Sequence, residues 1–304
     1  MRIKLITYLR LVCIMINEFV PPGHFYSVIP SINRTYNDNG AKFIDLSFND
    51  TRHLEILDDI GAYLTDFDNS FGVTNIADLN GEIKKRQGKF IYSLMNGAFE
   101  WMDARMLHYF LQKNKPKRII EIGSGNSTLM TYNTKKMFNL DVKIVCVEPY
   151  PSAYLKGLAA AGGVTLIAER LETVGLELFD SLGENDILFI DSSHVLKLDS
   201  DVMYYFTQIF PRLRKGVLIH IHDIFFPHDY PLSWLKEGRF WNEQYFLYVF
   251  LQYNTKFRIE FCNSYAKFKF NDKLTDLLQN SYEIVNKFCN DAFGGGSIWL
   301  TVGE

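Results

Sequence analysis

The sequence predicts an α/β fold: a Rossmann-like, mostly parallel sheet preceded by an N-terminal helical and extended segment. Three observations carry this reading. The stretch Arg118-Ile-Ile-Glu-Ile-Gly-Ser-Gly-Asn-Ser-Thr128 is an apolar strand that turns through Gly123 and Gly125 into a helix beginning near Ser127 and Thr128. Apolar runs and helical stretches then alternate, the pattern of parallel strands joined by right-handed crossovers. Two more apolar runs, Phe257–Cys262 and Ser297–Thr301, come late, with one long helical stretch and Gly294-Gly-Gly296 between them.

Leu5 to Ile16 is apolar and follows Arg2 and Lys4, like a leader peptide. Arg10 interrupts the run, no small-residue cleavage site follows, and the run is too short to span a bilayer. It reads as an amphipathic helix packed on the domain, the alternative being one that touches a partner or a membrane surface. Pro21-Pro-Gly-His-Phe-Tyr-Ser27 and Pro30 mark a turn-rich stretch, and Asn33 to Gly40 reads as a loop. Residues 1–80 thus form an extension that the sheet does not require, and 81–304 the sheet domain. Ile83 to Lys113 shows helical spacing broken near Gly88 and Gly97, and Pro116 closes the last helix. Strands are expected at 118–122, 143–147, 164–167, 187–190 and 216–221, then at the two late runs.

Hydrophobic residues make up 47% of the chain and aromatics 15%, enough for a sizeable core. The formal charge of −3 leaves no basic footprint for nucleic acid, and no Asn-Pro-Pro-Tyr type motif is present. Cys13, Cys146, Cys262 and Cys289 are scattered without CxxC spacing, and Cys146 lies in an expected buried strand. A reduced, cytoplasmic protein is the default for such a pattern.

The turn after the first strand indicates a cofactor. Glycines there let the backbone approach a ligand, and the helix start offers N–H groups and a positive dipole end. A dinucleotide site would carry a third glycine where Thr128 stands, and Glu121 would repel a pyrophosphate. An acid there suits an ammonium group instead. S-adenosylmethionine carries that ammonium and a carboxylate within reach of Ser124, Asn126 and Ser127. Glu148, ending the second strand, is placed to accept from two ribose hydroxyls, as acids at that distance also do in NAD proteins.

Glu121-Ile-Gly-Ser-Gly-Asn-Ser-Thr128, Val147-Glu-Pro149, Leu188-Phe-Ile-Asp-Ser-Ser-His194 and Val217-Leu-Ile-His-Ile-His-Asp-Ile224 resemble, in order, the motifs of class I S-adenosylmethionine-dependent methyltransferases. The nearest likeness is to O-methyltransferases of small molecules and sugars, and it covers Trp101 to the C-terminus. The resemblance implies a seven-stranded sheet, mostly parallel, with the last strand antiparallel in its interior. It implies S-adenosylmethionine as cofactor, held by Glu121, Gly123, Ser124, Gly125, Asn126, Ser127, Glu148, Pro149, Arg170, Leu171 and Asp191.

Ligands in open α/β sheets lie beyond the carboxyl ends of the strands. Glu121, Glu148, Asp191 and the His220-Ile-His-Asp223 run converge there. Asp191 is a candidate metal ligand or acceptor organiser, the alternative being an N-cap for a helix starting around Ser193. His194 is a candidate general base or else a solvent-facing helix start. His220 reads as a satisfied core histidine, while His222 and Asp223 sit at the strand's mouth. Asp191 with Asp223 could hold Mg²⁺, although Ile224 stands where the family adds a further acid or amide. Ligation by His194 or His222 makes the site softer, and a metal-free site with a histidine base is the other reading. For the acceptor, an aromatic and polar region supplies His228, Asp229, Tyr230, Asn242 and Glu243. His24 and Tyr26 lie on a stretch that could fold over the site as a lid.

The expected function is methyl transfer to a small molecule, a hydroxyl of a sugar or glycan precursor. The rivals are an NAD-dependent oxidoreductase and a scaffold that binds the donor without turnover. No transmembrane segment is expected. The oligomeric state stays open, a homo-oligomer being one outcome.

Overall fold

In the computed structural model the chain is described at residue 20 and over residues 23–30, 40–71, 79–278 and 295–304. The expected Leu5–Ile16 helix and most of the Asn33–Gly40 loop lie outside the described residues. Among the described residues four helices precede the sheet: α1 (Asp50–Asp59), α2 (Gly61–Phe71), α3 (Leu79–Gln87) and α4 (Trp101–Asn114). The strands are β1 (Arg118–Ile122), β2 (Lys143–Val147), β3 (Thr165–Ile167), β4 (Ile187–Ile190), β5 (Leu218–His222), β6 (Phe257–Cys262) and β7 (Ser297–Val302). Each lies within two residues of its expected bounds. Between them run α5 (Asn126–Met137), α6 (Ala153–Ala160), α7 (Glu177–Asp180), α8 (Asp201–Tyr204), α9 (Leu232–Lys236), α10 (Glu243–Gln252), α11 (Asn263–Lys269) and α12 (Asn271–Leu277).

The sheet order is β3-β2-β1-β4-β5-β7-β6. All pairs are parallel except those of β7, which runs antiparallel between β5 and β6 as the motif resemblance implied. Central strands covered on both faces read as continuous apolar runs, and β4 and β5 are buried at every position. Period-two alternation sends Ile119, Ile144 and Phe189 into one core layer and Ile120, Val147 and Ile190 into the other.

The expected long helical stretch after β6 is two short helices. It breaks at Phe270 (φ −125°, ψ 32°), whose ring packs against the core near His53 and Tyr265. Residues 279–294 lie outside the described residues. Helices α1 and α2 belong to the packed body, with Ile56, Leu57 and Phe67 fully buried. Arg105 of α4, itself buried, donates to Asp68 of α2 at 2.7 Å and lies over the Phe67 ring. A buried charge is tolerated only when so paired.

Candidate active site

Strand register explains why polar residues from four strands meet. Ile122 pairs with Val147 and with Ile190, and Ile190 with Ile221. The next residue on each strand, Gly123, Glu148, Asp191 and His222, therefore emerges in one row at the carboxyl edge. The edge is locked by backbone bonds from Asp191 N to Ile122 O (2.8 Å) and Gly123 N to Val147 O (3.0 Å). Gly123 has φ +77°, and a Cβ there would lie 1.8 Å from the Asp191 carbonyl oxygen. Its lack of a side chain lets β1 and β4 close on each other.

A cavity of about 440 Å³ opens over this row. Gly123, Glu148, Pro149, Arg170, Leu171 and Asp191, all expected from the sequence, line it. Glu148 accepts from Ser124 N (3.2 Å) and Tyr150 N (2.8 Å), so its carboxylate is fixed at the cavity wall. Arg170 is held against Glu172 by two hydrogen bonds, of 2.9 and 3.2 Å. The lining residues Tyr150, Glu172, Ser192 and Lys197 were not read from the sequence; they lie on connecting loops or, for Glu172, on a single 3-10 turn, where apolar periodicity gives no signal.

Glu121 is not on that wall. Odd parity on β1 turns it under the turn, fully buried, to accept from Thr128 Oγ1 (2.5 Å), Thr131 Oγ1 (3.1 Å) and Ser127 Oγ (3.4 Å). Thr128 thus stands in the third-glycine position as a donor to the buried acid. Ser127 is committed to the same network, Asn126 accepts from Gln87 (3.2 Å), and Gly125 precedes α5 with no side chain capping the helix. Burial raises the Glu121 carboxyl to about 7 against the pull of the three hydroxyls. A folded-state pKa above the unfolded one means stability present at low pH and lost as pH rises through about 7. That loss amounts to about 3 kcal/mol between pH 4 and 8. Glu121→Gln is expected to remove it, so urea midpoints of wild type and variant should diverge from pH 5 to pH 8; parallel midpoints contradict this placement.

Beside the cavity lies a cluster of imidazoles and carboxylates. His194 Nε2 is 3.3 Å from Asp191 Oδ1 and 3.5 Å from Asp223 Oδ2, and Nδ1 is 2.8 Å from Glu243 Oε2. Tyr205, at the head of a π-helical turn, donates to the other Glu243 oxygen, and the Trp241 ring lies tilted against His194, centroids 4.2 Å apart. His222 places Nδ1 3.2 Å from Asp223 Oδ1 and 3.9 Å from Asp191 Oδ1, and Nε2 3.5 Å from Asp103 Oδ2. One donor atom each from Asp191, His194 and Asp223 lie within 4.8 Å of one another.

Burial alone would lower both imidazoles. The hydrogen bonds to Asp191 and Glu243 outweigh it at His194 and raise the ring to about 10; at His222 the charges of Asp223 and Asp191 outweigh it and push the ring well above its ordinary value. His194 is therefore cationic at neutral pH, the opposite of a ready general base. His194 is buried with φ +60°, and no helix starts at Ser193: the next is α8, capped by Ser200, so Asp191 caps nothing. His220 is a core residue stacked on Phe189 at 4.1 Å, yet neither ring nitrogen is hydrogen-bonded among the described residues. It is packed rather than satisfied, and burial keeps it neutral.

Most acceptor candidates are framework. Glu243 is fully buried against His194, and Tyr230 is buried with its hydroxyl accepting from Gln244 N at 3.1 Å. Asn242 straps the loop after β4, its Oδ1 accepting from Leu196 N (2.6 Å) and its Nδ2 donating to Leu196 O (3.3 Å). Asp229 pairs with Lys42 at 2.7 Å and accepts from Tyr245. His228 lines a separate cavity beside α11. His24 and Tyr26 stack with Phe25 in a local turn and do not line the first cavity. Asp103 went unread, although a lone acid in the apolar run Trp101-Met-Asp-Ala-Arg-Met-Leu107 is a signal in itself, because a buried helix carries a charge only for a partner.

Residues 120–224 match the family model of a methyltransferase domain. Over 185 residues, 57% of this chain and 77% of the relative, the chain is 36% identical to an uncharacterized protein of Archaeoglobus fulgidus. Among solved structures it is similar to the S-adenosylhomocysteine-bound Podospora anserina methyltransferase PaMTH1, with a TM-score of 0.45, 18% identity, and coverage of 85% of this chain and 98% of that one. It is also similar to the plantazolicin methyltransferase BpumL in complex with S-adenosylhomocysteine, with a TM-score of 0.43, 11% identity, and coverage of 84% and 99%. The matched residues run from β1 to the end of β5, the strands that carry the cavity and the cluster. No helix among the described residues is long and apolar enough to cross a membrane.

Proposed function

We propose that the protein methylates a hydroxyl of a small acceptor, a sugar or glycan precursor, where the first cavity meets the imidazole–carboxylate cluster. One observation carries this reading: Asp191 belongs to both, lining the cavity and lying 3.3 Å from His194. The donor's ribose hydroxyls then bond Glu148, its adenine lies by Arg170 and Leu171, and its carboxylate meets the uncapped start of α5. Glu121 supports the turn from beneath without touching the donor.

The reaction is an in-line displacement. An O–CH₃ bond forms as the S–CH₃ bond breaks, the electron pair returns to sulfur, and the hydroxyl proton leaves toward the cluster. The chain's work is alignment and exclusion of water.

The cluster fits a divalent cation by its donor set. Asp191, His194 and Asp223 would hold it, with Glu243 orienting His194 through the other ring nitrogen. When bound, such an ion supplies a lowered pKa for an acceptor hydroxyl. With an imidazole among its ligands and Ile224 beside it, the site favours Mn²⁺ or Co²⁺ over Mg²⁺. Calorimetry with each ion should give at least about tenfold tighter binding of Mn²⁺ and Co²⁺, with the preference shrinking in His194→Ala. Equal binding of Mg²⁺ contradicts the part given to the imidazole, and no binding of any ion leaves methyl transfer without a metal.

A further inference from the structure

A cavity of about 700 Å³ lies at the amino edge of the sheet, the end opposite the candidate active site. Arg118, Lys143 and Thr165, which line it, are the first residues of β1, β2 and β3. Parallel register puts their side chains on one face: Arg118 pairs with Lys143, and Val145, two further along β2, pairs with Thr165. A parallel sheet ordinarily carries helices over both faces. Here the cover is complete only at the centre, where Ile120, Leu188 and Ile190 are buried on this face. The crossover from β3 to β4 supplies just the 3-10 turn Leu171–Thr173 and the short α7. Val145 is therefore half-buried, and Lys143 and Thr165 are exposed.

The opening is cationic in a chain whose formal charge is −3. Its lining carries Arg118, Lys135 and Lys143 against a single acid, Glu177. Arg118 Nη1 donates to Ser181 O (2.6 Å), and Lys135 of α5 donates to Val142 O (2.7 Å). Each carbonyl fixes a cation without neutralising it. Among the described residues none of the three cations forms an ion pair. Nearby acids are engaged elsewhere: Asp180 accepts from Arg212 Nε at 2.8 Å, and Asp186 accepts from Arg118 N and Gly183 N at 2.8 and 2.9 Å. Glu177 is folded back beside Gly175, where a Cβ would lie 2.1 Å from its Oε1.

We propose that this cavity is a second ligand site, for a small molecule bearing a phosphate or diphosphate, whose oxygens meet Arg118, Lys135 and Lys143 while its less polar body lies on Val145 and Leu178. Cations delivered from β1, β2 and α5 around one opening match an anion with three or more oxygens better than a carboxylate with two. The Thr165 hydroxyl, on the same face, adds a neutral donor. The site shares no lining residue with the first cavity, so it stands apart from the methyl-transfer reading.

The test is calorimetry on the full chain with inorganic pyrophosphate in metal-free buffer. One molecule per chain should bind with a dissociation constant of about 0.1 mM, unchanged by S-adenosylhomocysteine. Lys143→Glu and Thr165→Glu, at exposed positions where the fold should tolerate them, should each weaken binding at least about tenfold. Lys236→Glu, the same change of charge as Lys143→Glu but on the exposed side of α9, should leave it unaltered. No binding at about millimolar pyrophosphate overturns the proposal. So does an equal loss in Lys236→Glu, the mark of unspecific attraction, or displacement by S-adenosylhomocysteine, which places the anion in the first cavity. Binding of phosphatidylglycerol vesicles without binding of pyrophosphate also overturns it, in favour of a bilayer surface as the partner.

Discussion

Gly123→Ala is expected to cost about 2–5 kcal/mol of folding stability, the sum of a left-handed backbone for a residue with a Cβ and of overpacking at a closed edge. The larger part is steric. The new carbon would sit 1.8 Å from the Asp191 carbonyl oxygen, which is backbone and cannot swing aside as a side chain could. Relief must come from parting β1 and β4 at Ile122 and Asp191, where the 2.8 Å bond from Asp191 N to Ile122 O holds the row together. Chemical denaturation of the variant should show the loss, and donor affinity should fall with it because Glu148 and Asp191 leave their shared row. A stability change below about 1 kcal/mol contradicts this account of the glycine.

Glu148→Ala has the largest expected effect on ligand binding. The side chain is held at the cavity wall by two backbone N–H groups and is otherwise open to a ligand. A carboxylate that accepts from both ribose hydroxyls contributes about 3 kcal/mol, so affinity for S-adenosylhomocysteine should fall about 100-fold. Glu148→Gln keeps the shape and loses the charge, and should fall between the two. Thermal unfolding of both variants should stay near wild type, since the two bonds lost lie in a turn at the surface. A Glu148→Ala protein that binds as well as wild type moves the ribose elsewhere.

The strands were legible because a parallel sheet covered on both faces demands long apolar runs, and polar residues mark where each run reaches the edge. Register then needed no further information: Gly123, Glu148, Asp191 and His222 each follow the last apolar pair, so finding the strand ends located the site. Direction was harder to read. Glu121 looks like a ligand of the turn until the parity of Ile120 and Ile122 is used, which sends it to the α5 side, where Thr128 and Thr131 stand three apart on one helical face. The rest depended on partners distant in sequence. Glu243 is 49 residues from His194, and Asn263 is 160 from Asp103, and no local pattern announces such pairs. Tyr230, Asn242 and Glu243 carry the polar character of a binding surface, yet in the fold they brace the loop that presents His194.

The cluster also shows why residue type alone misassigns roles. Histidine near neutral pKa suggests a base, but each ring here faces two or more carboxylates, whose charges push its pKa up. A cation held by Asp191, His194 and Asp223, as proposed above, would answer those carboxylates in place of a proton on the His194 ring.

Calorimetric titration of wild-type protein with S-adenosylmethionine, S-adenosylhomocysteine and NAD tests the central claim most directly. The account predicts that both sulfur ligands bind with dissociation constants of about micromolar order, one molecule per chain, and that NAD does not compete. Tight NAD binding, or indifference to both sulfur ligands, contradicts it.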